Sequence, residues 1–214
     1  MTSVKDQAKA LNINLSGRTN LKEDKTLLIR GTKDVKQDLI EVQGLTAVHL
    51  LECENCEYTI RGKLVKLSIE KCKNVVLKIE DKVVTGIVDA WKSENISLDF
   101  DRSVAMFQLE AIKTIVIHLP DAEHFGSMVW AGVNGLKLHL GQDTHLLSFL
   151  DMQSRNPSLN AETNQFKTTI VDGSIMTEAI VRLEGGHVAT RAEEASIREL
   201  EKRKEDALRA PLDE

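Results

Sequence analysis

A short phrase recurs three times in this chain at nearly constant spacing. It reads Cys53-Glu54-Asn55-Cys56-Glu57-Tyr58-Thr59-Ile60, then Cys72-Lys73-Asn74-Val75-Val76-Leu77-Lys78-Ile79, then Ser93-Glu94-Asn95-Ile96-Ser97-Leu98-Asp99-Phe100. Asn55 and Asn74 stand 19 residues apart, and Asn74 and Asn95 stand 21 apart. A period near twenty marks a stacked repeat, in which no single unit can bury its apolar side alone. Within each copy the apolar residues fall at every second position, the pattern of a strand with one buried face. Tyr58, Leu77 and Leu98 are therefore expected to be inward neighbours.

A second strand precedes each copy: Val48 and Leu50, then Val65, Leu67 and Ile69, then Val83 and Ile87 less cleanly. Asn falls at the corner between the two strands, where it tolerates a left-handed backbone and bonds locally. Two short strands and two corners per repeat make one coil of a β-helix. Antiparallel hairpins would not return the same corner at this spacing. The phrase continues more weakly through residues 112–119, with Thr114 at the corner, and through 133–140, with Asn134-Gly135 there. Residues 27–29 and 39–42 open the stack, joined by a charged corner over 33–36.

The expected fold is all-β: a right-handed parallel β-helix over residues 27–150, a C-terminal β-hairpin, and a charged C-terminal α-helix. The division is a lead-in over 1–26, the β-helix domain with its hairpin over 27–186, and a helical tail over 187–214. A short helix is expected over 5–11 and a polar loop over 153–164. Residues 165–171 and 175–181 flank Asp172-Gly173, a strong hairpin signal that leaves a strand edge to be covered. Thr190 is the expected N-cap of the tail helix, with acidic residues in its first turn and Pro211 beyond its end. Its charges suit a solvated helix held by local ion pairs, with a docking helix as the functional alternative.

Hydrophobic residues make up 42% of the chain but aromatics only 4%, so Leu, Ile and Val must build the core. A net charge of −5 gives no general attraction for nucleic acid. No signal peptide and no long apolar run point to secretion or to a membrane. Cys53-x-x-Cys56 raises zinc, but zinc wants four ligands and no second pair follows. Cys53 and Cys72 hold the same place in successive coils, so the cysteines are expected to be stacked thiols in a reducing cytoplasm. Among His118, His124, His139 and His145, the pair His118 and His139 holds equivalent outward places, which favours solvated stacking over metal binding. Trp91 and Trp130 are expected to pack laterally. No cofactor or metal is implied, and no paired-carboxylate cleft of the polysaccharide-cleaving kind is present.

Several of these segments together resemble the C-terminal β-helix domain of cyclase-associated proteins, the fold shared with tubulin cofactor C. The carriers are Cys53, Arg61-Gly62-Lys63, the run from Leu67 to Asn74, Gly86-Ile87-Val88, residues 112–117 and Gln165-Phe166-Lys167-Thr168, within residues 27–185. The resemblance implies a cytoplasmic, non-enzymatic cytoskeletal regulator that binds ADP-actin monomers and promotes their recharging with ATP. It also implies a homodimer through the hairpin, here Gln165, Phe166, Lys167, Thr168, Ile170, Ile175, Thr177 and Ile180. Full-length members carry an N-terminal helical domain, proline-rich linkers and a WH2 segment, none of which residues 1–26 resemble. Members also normally stop soon after the hairpin, whereas here the charged tail follows.

The cofactor C branch stimulates a tubulin-type or Arf-like GTPase with an arginine finger in a Gln-x-x-x-Arg motif. Here Gln108 is followed at that distance by Ile112, so this reading ranks below actin binding and below a β-helix scaffold for another protein. Lys63, Lys66, Lys71, Lys73 and Lys78 are expected to form one basic patch facing an acidic partner such as the actin monomer.

Overall fold

In the computed structural model, which describes residues 14–15, 25–161, 163–182 and 188–209, alternation and corners close into a two-sheet parallel β-solenoid. Strand β1 (Asn14–Leu15) runs antiparallel to the first strand of the stack. The six coils that follow are β2 (Lys25–Arg30) with β3 (Asp38–Glu41), β4 (Thr46–Leu51) with β5 (Glu54–Arg61), and β6 (Leu64–Glu70) with β7 (Lys73–Ile79), then β8 (Ile87–Trp91) with β9 (Glu94–Phe100), β10 (Val104–Glu110) with β11 (Ile115–Leu119), and β12 (Phe125–Ala131) with β13 (Leu136–Leu140). Even-numbered strands β2 to β12 stack in parallel in one sheet, and odd-numbered β3 to β13 stack in the other. The core lies between the sheets. Tyr58 sits opposite Leu77, and Leu77 opposite Leu98, all buried as the alternation predicts.

The Asn corner is the most regular feature of the molecule. Asn55, Asn74 and Asn95 have φ of 54°, 52° and 54°, in the left-handed region. Their side chains form a ladder: Asn95 Nδ2 donates to Asn74 Oδ1 at 2.9 Å, and Asn74 Nδ2 to Asn55 Oδ1 at 2.8 Å. Asn55 Nδ2 in turn donates to Asp34 Oδ1 at 2.9 Å, so the first coil shares the corner. A second left-handed column precedes it by three residues: Gly31, Glu52, Lys71, Lys92, Ala111 and Gly132. Between the columns, Cys53, Cys72, Ser93, Ile112 and Val133 stack inward and are buried. All three cysteines are free. A hydrogen bond with Cys53, together with burial, holds the Cys72 thiol above the ordinary thiol range.

Two strands depart from the expected phase. Thr46 is opposite Leu64 but Val48 is opposite Leu67, so a bulge at Val65 and Lys66 turns both side chains away from the core. Leu64, not Val65, is the buried residue. In the next coil Val83 bridges Leu64, and the Thr85 hydroxyl donates to the Val65 carbonyl at 2.7 Å. Gly86 then turns the chain at φ +69°, and a Cβ there would stand 2.7 Å from that of Ala105. The alternation restarts one residue late, so Val88 and Ala90 are buried and Ile87 is only half-buried.

The parallel stack ends at Leu140, earlier than residue 150. The chain reverses at Gly141, and β14 (Asp143–Leu147) lies antiparallel on β13. Helix α1 (Phe149–Arg155) follows, with the Ser148 hydroxyl accepting from the Leu150 amide at 3.1 Å. Gln153, Ser154 and Arg155 thus close a helix instead of opening a loop. Phe149 and Met152 pack on the last coil. The hairpin then extends the even-numbered sheet: β15 (Phe166–Val171) pairs antiparallel with β12, and β16 (Ser174–Ala179) with β15. Asp172 and Gly173 have φ of 49° and 75°, the two left-handed residues of a type I′ turn. Strands β17 (Val181–Arg182) and β18 (Val188–Ala189) form a small pair before helix α2 (Arg191–Arg209). The helix expected over 5–11 lies outside the described residues.

Leu77→Ala should lower the unfolding free energy by about 2–5 kcal/mol, read from the denaturant midpoint, because it empties a packed site. Asn74→Ala should cost more than Asn74→Gly. Both lose the ladder bonds, but only alanine adds the strain of a left-handed backbone, about 1–2 kcal/mol.

Candidate partner-binding surfaces

The Asn corner carries an outward column whose charge changes sign at each coil. Lys33 Nζ lies 3.0 Å from Glu54 Oε2, Glu54 is in register with Lys73, and Lys73 with Glu94. Lys113 Nζ closes the series at 2.9 Å from Glu94 Oε1, and this contact holds the Glu94 carboxyl below the usual range.

This alternation dissolves the single basic patch expected from the sequence. Lys66 is on β6 in one sheet, 2.5 Å from Asp89, whereas Lys78 is on β7 in the other sheet, 4.0 Å from Asp101. Lys71 and Lys73 sit at the Asn corner, Lys71 lying 3.8 Å from Glu52 and 3.5 Å from Glu70. Lys63 is exposed at the opposite corner, between β5 and β6. Apart from Lys71 and Lys73, which share the Asn corner, the lysines face different directions because successive strands of one coil belong to different sheets, and the stacking register brings carboxylates to four of the five.

The hairpin residues do come together. Phe166 is buried with its ring centroid 4.6 Å from Trp130 and 5.9 Å from Phe149. Thr168, also buried, accepts from Trp130 Nε1 at 3.0 Å and shares a 2.9 Å hydrogen bond with the Thr177 hydroxyl. Ile170, Ile175 and Thr177 are half-buried on the same face, and the Ile180 amide donates to the Gln165 carbonyl at 2.8 Å. The far edge of β16 has no partner strand among the described residues.

Lys167 points the other way and pairs with Glu193 of α2. Glu193 also closes a capping box with Thr190. Its amide donates to the Thr190 hydroxyl at 3.2 Å, and the Thr190 amide donates to its carboxylate at 2.9 Å. A cavity of about 680 Å³ lies between the hairpin and the start of α2, lined by Met176, Val188 and Ile197 among others.

Two further surfaces lie on the sheets. His118 and His139 stack with ring centroids 4.3 Å apart and 3° between planes, outward as their register implied. On the other sheet the outward face of β8 holds Asp89 and Trp91 beside a cavity of about 430 Å³. Trp130, expected to pack laterally, is instead buried in the core, whereas Trp91 stands half-buried on the surface next to His49, 5.9 Å between centroids. Sequence reading passed over Asp89. Its signal is a single acid inside the apolar run Ile87-Val88-Asp89-Ala90-Trp91.

The sequence model of the family described as adenylate cyclase associated (CAP) C terminal matches residues 15–182. The chain belongs to this family. Among solved structures, the crystal structure of cyclase-associated protein from Cryptosporidium parvum is similar, with a TM-score of 0.50 and 16% identity over 79% of this chain and 97% of that one. At that identity the likeness bears on the fold. No curated protein sequence matches.

In this CAP C-terminal domain Ile112 is an inward corner residue, 1% exposed, so the position of the arginine finger in the cofactor C branch is part of the core here. Among the described residues no three His, Cys, Asp or Glu side chains gather as a metal site, and no helix is long and apolar enough to cross a membrane.

Burial holds the His49 ring below its ordinary pKa of 6.5; Glu70 opposes the shift and Lys66 adds to it. Above 6.5 the ring is neutral in both folded and unfolded chains. Below 6.5 the unfolded chain takes up the proton first, so stability falls as the pH drops toward the folded value. The melting temperature of the wild-type chain should therefore drop more between neutral and mildly acid pH than that of His49→Gln.

Proposed function

We propose that this chain is a cytoplasmic regulator of actin monomers, which binds ADP-actin as a homodimer joined through β15 and β16. The observation that supports this most is the family match, which runs from residue 15 through the coils and the hairpin to the end of β17 at 182. It acts by binding, and its part in nucleotide exchange would be to favour the monomer's exchange-competent state.

The edge of β16 supports the dimer. Among the described residues no strand pairs with it beside the half-buried Ile170 and Ile175, and such an edge is a template for a strand from a second chain. Lys63 and Lys73 are the exposed cations offered to the acidic actin surface. Because carboxylates alternate with the lysines, the attraction is local, speeds encounter and is weakened by salt. Helix α2 bears on the hairpin through Lys167 and Glu193, and so covers part of the surface next to the dimer edge.

Light scattering at micromolar concentration should give a dimer mass; a monomer mass would refute the assembly. The chain should bind ADP-actin more tightly at low salt than at high salt, and the double variant Lys63→Glu with Lys73→Glu should bind more weakly. A chain ending at residue 186 should bind more strongly if α2 is a cover, and equally well if it is a bystander. If neither chain binds actin in either nucleotide state, the reading fails.

A further inference from the structure

The outward face of β6, β8 and β10 carries an arrangement that the actin reading does not use. Trp91 is in register with Glu70 on one side and Glu110 on the other. Two residues earlier on the same face, Asp89 lies between Ser68 and Gln108. Outward residues of a sheet are normally wet, yet Asp89 is only 9% exposed. Its Oδ2 is 2.5 Å from Lys66 Nζ, while its Oδ1 is buried and has no hydrogen-bond partner. A buried carboxylate oxygen without a donor costs free energy, and the cost disappears when a donor arrives.

The counter-ion comes from the neighbouring coil. Lys66 shares the outward face of β6 with Ser68, as alternation back from the buried Leu67 and Ile69 requires. Its side chain is 44% exposed, so its stem can swing into water and give up its place. Lys71 lies near Glu70, but Glu110 has no ion partner among the described residues. Beside Asp89 and Trp91 the cavity is completed by Gln108, Val129 and Gln165, which add amide groups and one apolar wall.

A hydrogen-bond donor that is also a cation, and flat enough to lie on an indole, satisfies all of these groups together. A guanidinium is such a group; it stacks on tryptophan and donates from a rigid fork, which an ammonium does not. We propose that this hollow receives an arginine side chain from a basic segment of a partner protein, lying on Trp91 and donating to Asp89 Oδ1. In the free protein Lys66 occupies the site as an internal stand-in, and the incoming arginine displaces it. The site shares Lys66 with the five lysines and Gln165 with the hairpin, but its test involves neither actin nor dimer formation, so its outcome is read separately from actin binding.

The test titrates the full chain with a Gly/Ser peptide carrying one central arginine, and with matched lysine and citrulline peptides. The readout is the indole N–H resonance of Trp91, with that of the buried Trp130 as an internal reference. The arginine peptide should shift the Trp91 signal saturably while Trp130 stays still, the lysine peptide should bind more weakly, and citrulline should do nothing. Asp89→Asn should weaken binding about tenfold, the worth of one charge-assisted hydrogen bond. Lys66→Ala should tighten it, an outcome that a merely structural ion pair would not give. No saturable shift with either wild type or Lys66→Ala overturns the proposal. So does equal binding by Asp89→Asn, or binding of spermine as tight as that of the arginine peptide, which would mean diffuse attraction to acidic surface.

Discussion

Everything in this molecule depends on turning the chain through the same corner in every coil. In the first four coils the turn uses two left-handed residues three apart, and in the last two only the first of them, Ala111 and Gly132. Side chains larger than glycine resist that conformation. Asn55, Asn74 and Asn95 meet the requirement at the second position and convert its strain into a ladder of side-chain hydrogen bonds. The first position is filled by Glu52, Lys71 and Lys92, where Glu52 pairs with Arg30 and Lys71 by charge but no ladder of amide hydrogen bonds forms among the described residues. Packing offsets that cost: the residues between the two positions, among them Cys53, Cys72 and Ile112, are driven into the core. The corner and the core therefore hold each other in place.

Much of this could be read in the sequence because the corner and the alternation are both local. Tyr58, Leu77 and Leu98 took their inward places from the period of two alone, and the Asp172-Gly173 turn from its dipeptide. Phase was lost where one residue is added without a signal. Val65 and Lys66 look like part of an alternating strand, and only the partner strand shows that a bulge lies there. Residues 143–147 resemble one more coil, and nothing local to them says that the chain has reversed onto β13. Helix α1 is so short that its cap, Ser148, is nearly its whole signature.

The functional surfaces were less legible for a geometric reason. Outward side chains gain their neighbours from other coils, about twenty residues away, and from whichever sheet their strand joins. Five lysines close together in sequence are thus scattered around the tube, whereas Asp89, Trp91 and Lys66 converge from two coils. The hairpin is the exception. Its inward residues are held by Trp130 and Phe149 and its outward Lys167 by Glu193, so one short segment links the stack, the free edge and the tail helix.

The alternating charges on the Asn corner have one more consequence. Lys33, Glu54, Lys73, Glu94 and Lys113 change sign with every coil, and the ladder spacings of 21, 19 and 21 residues alternate as well. The geometric unit is one coil, but the chemical unit is two. Looping out a single coil during folding, or losing one in descent, would bring Glu54 over Glu94 or Lys33 over Lys73. Removing two would restore opposite signs along the column. The tube thus has a parity, written in its charges, that its backbone alone does not possess.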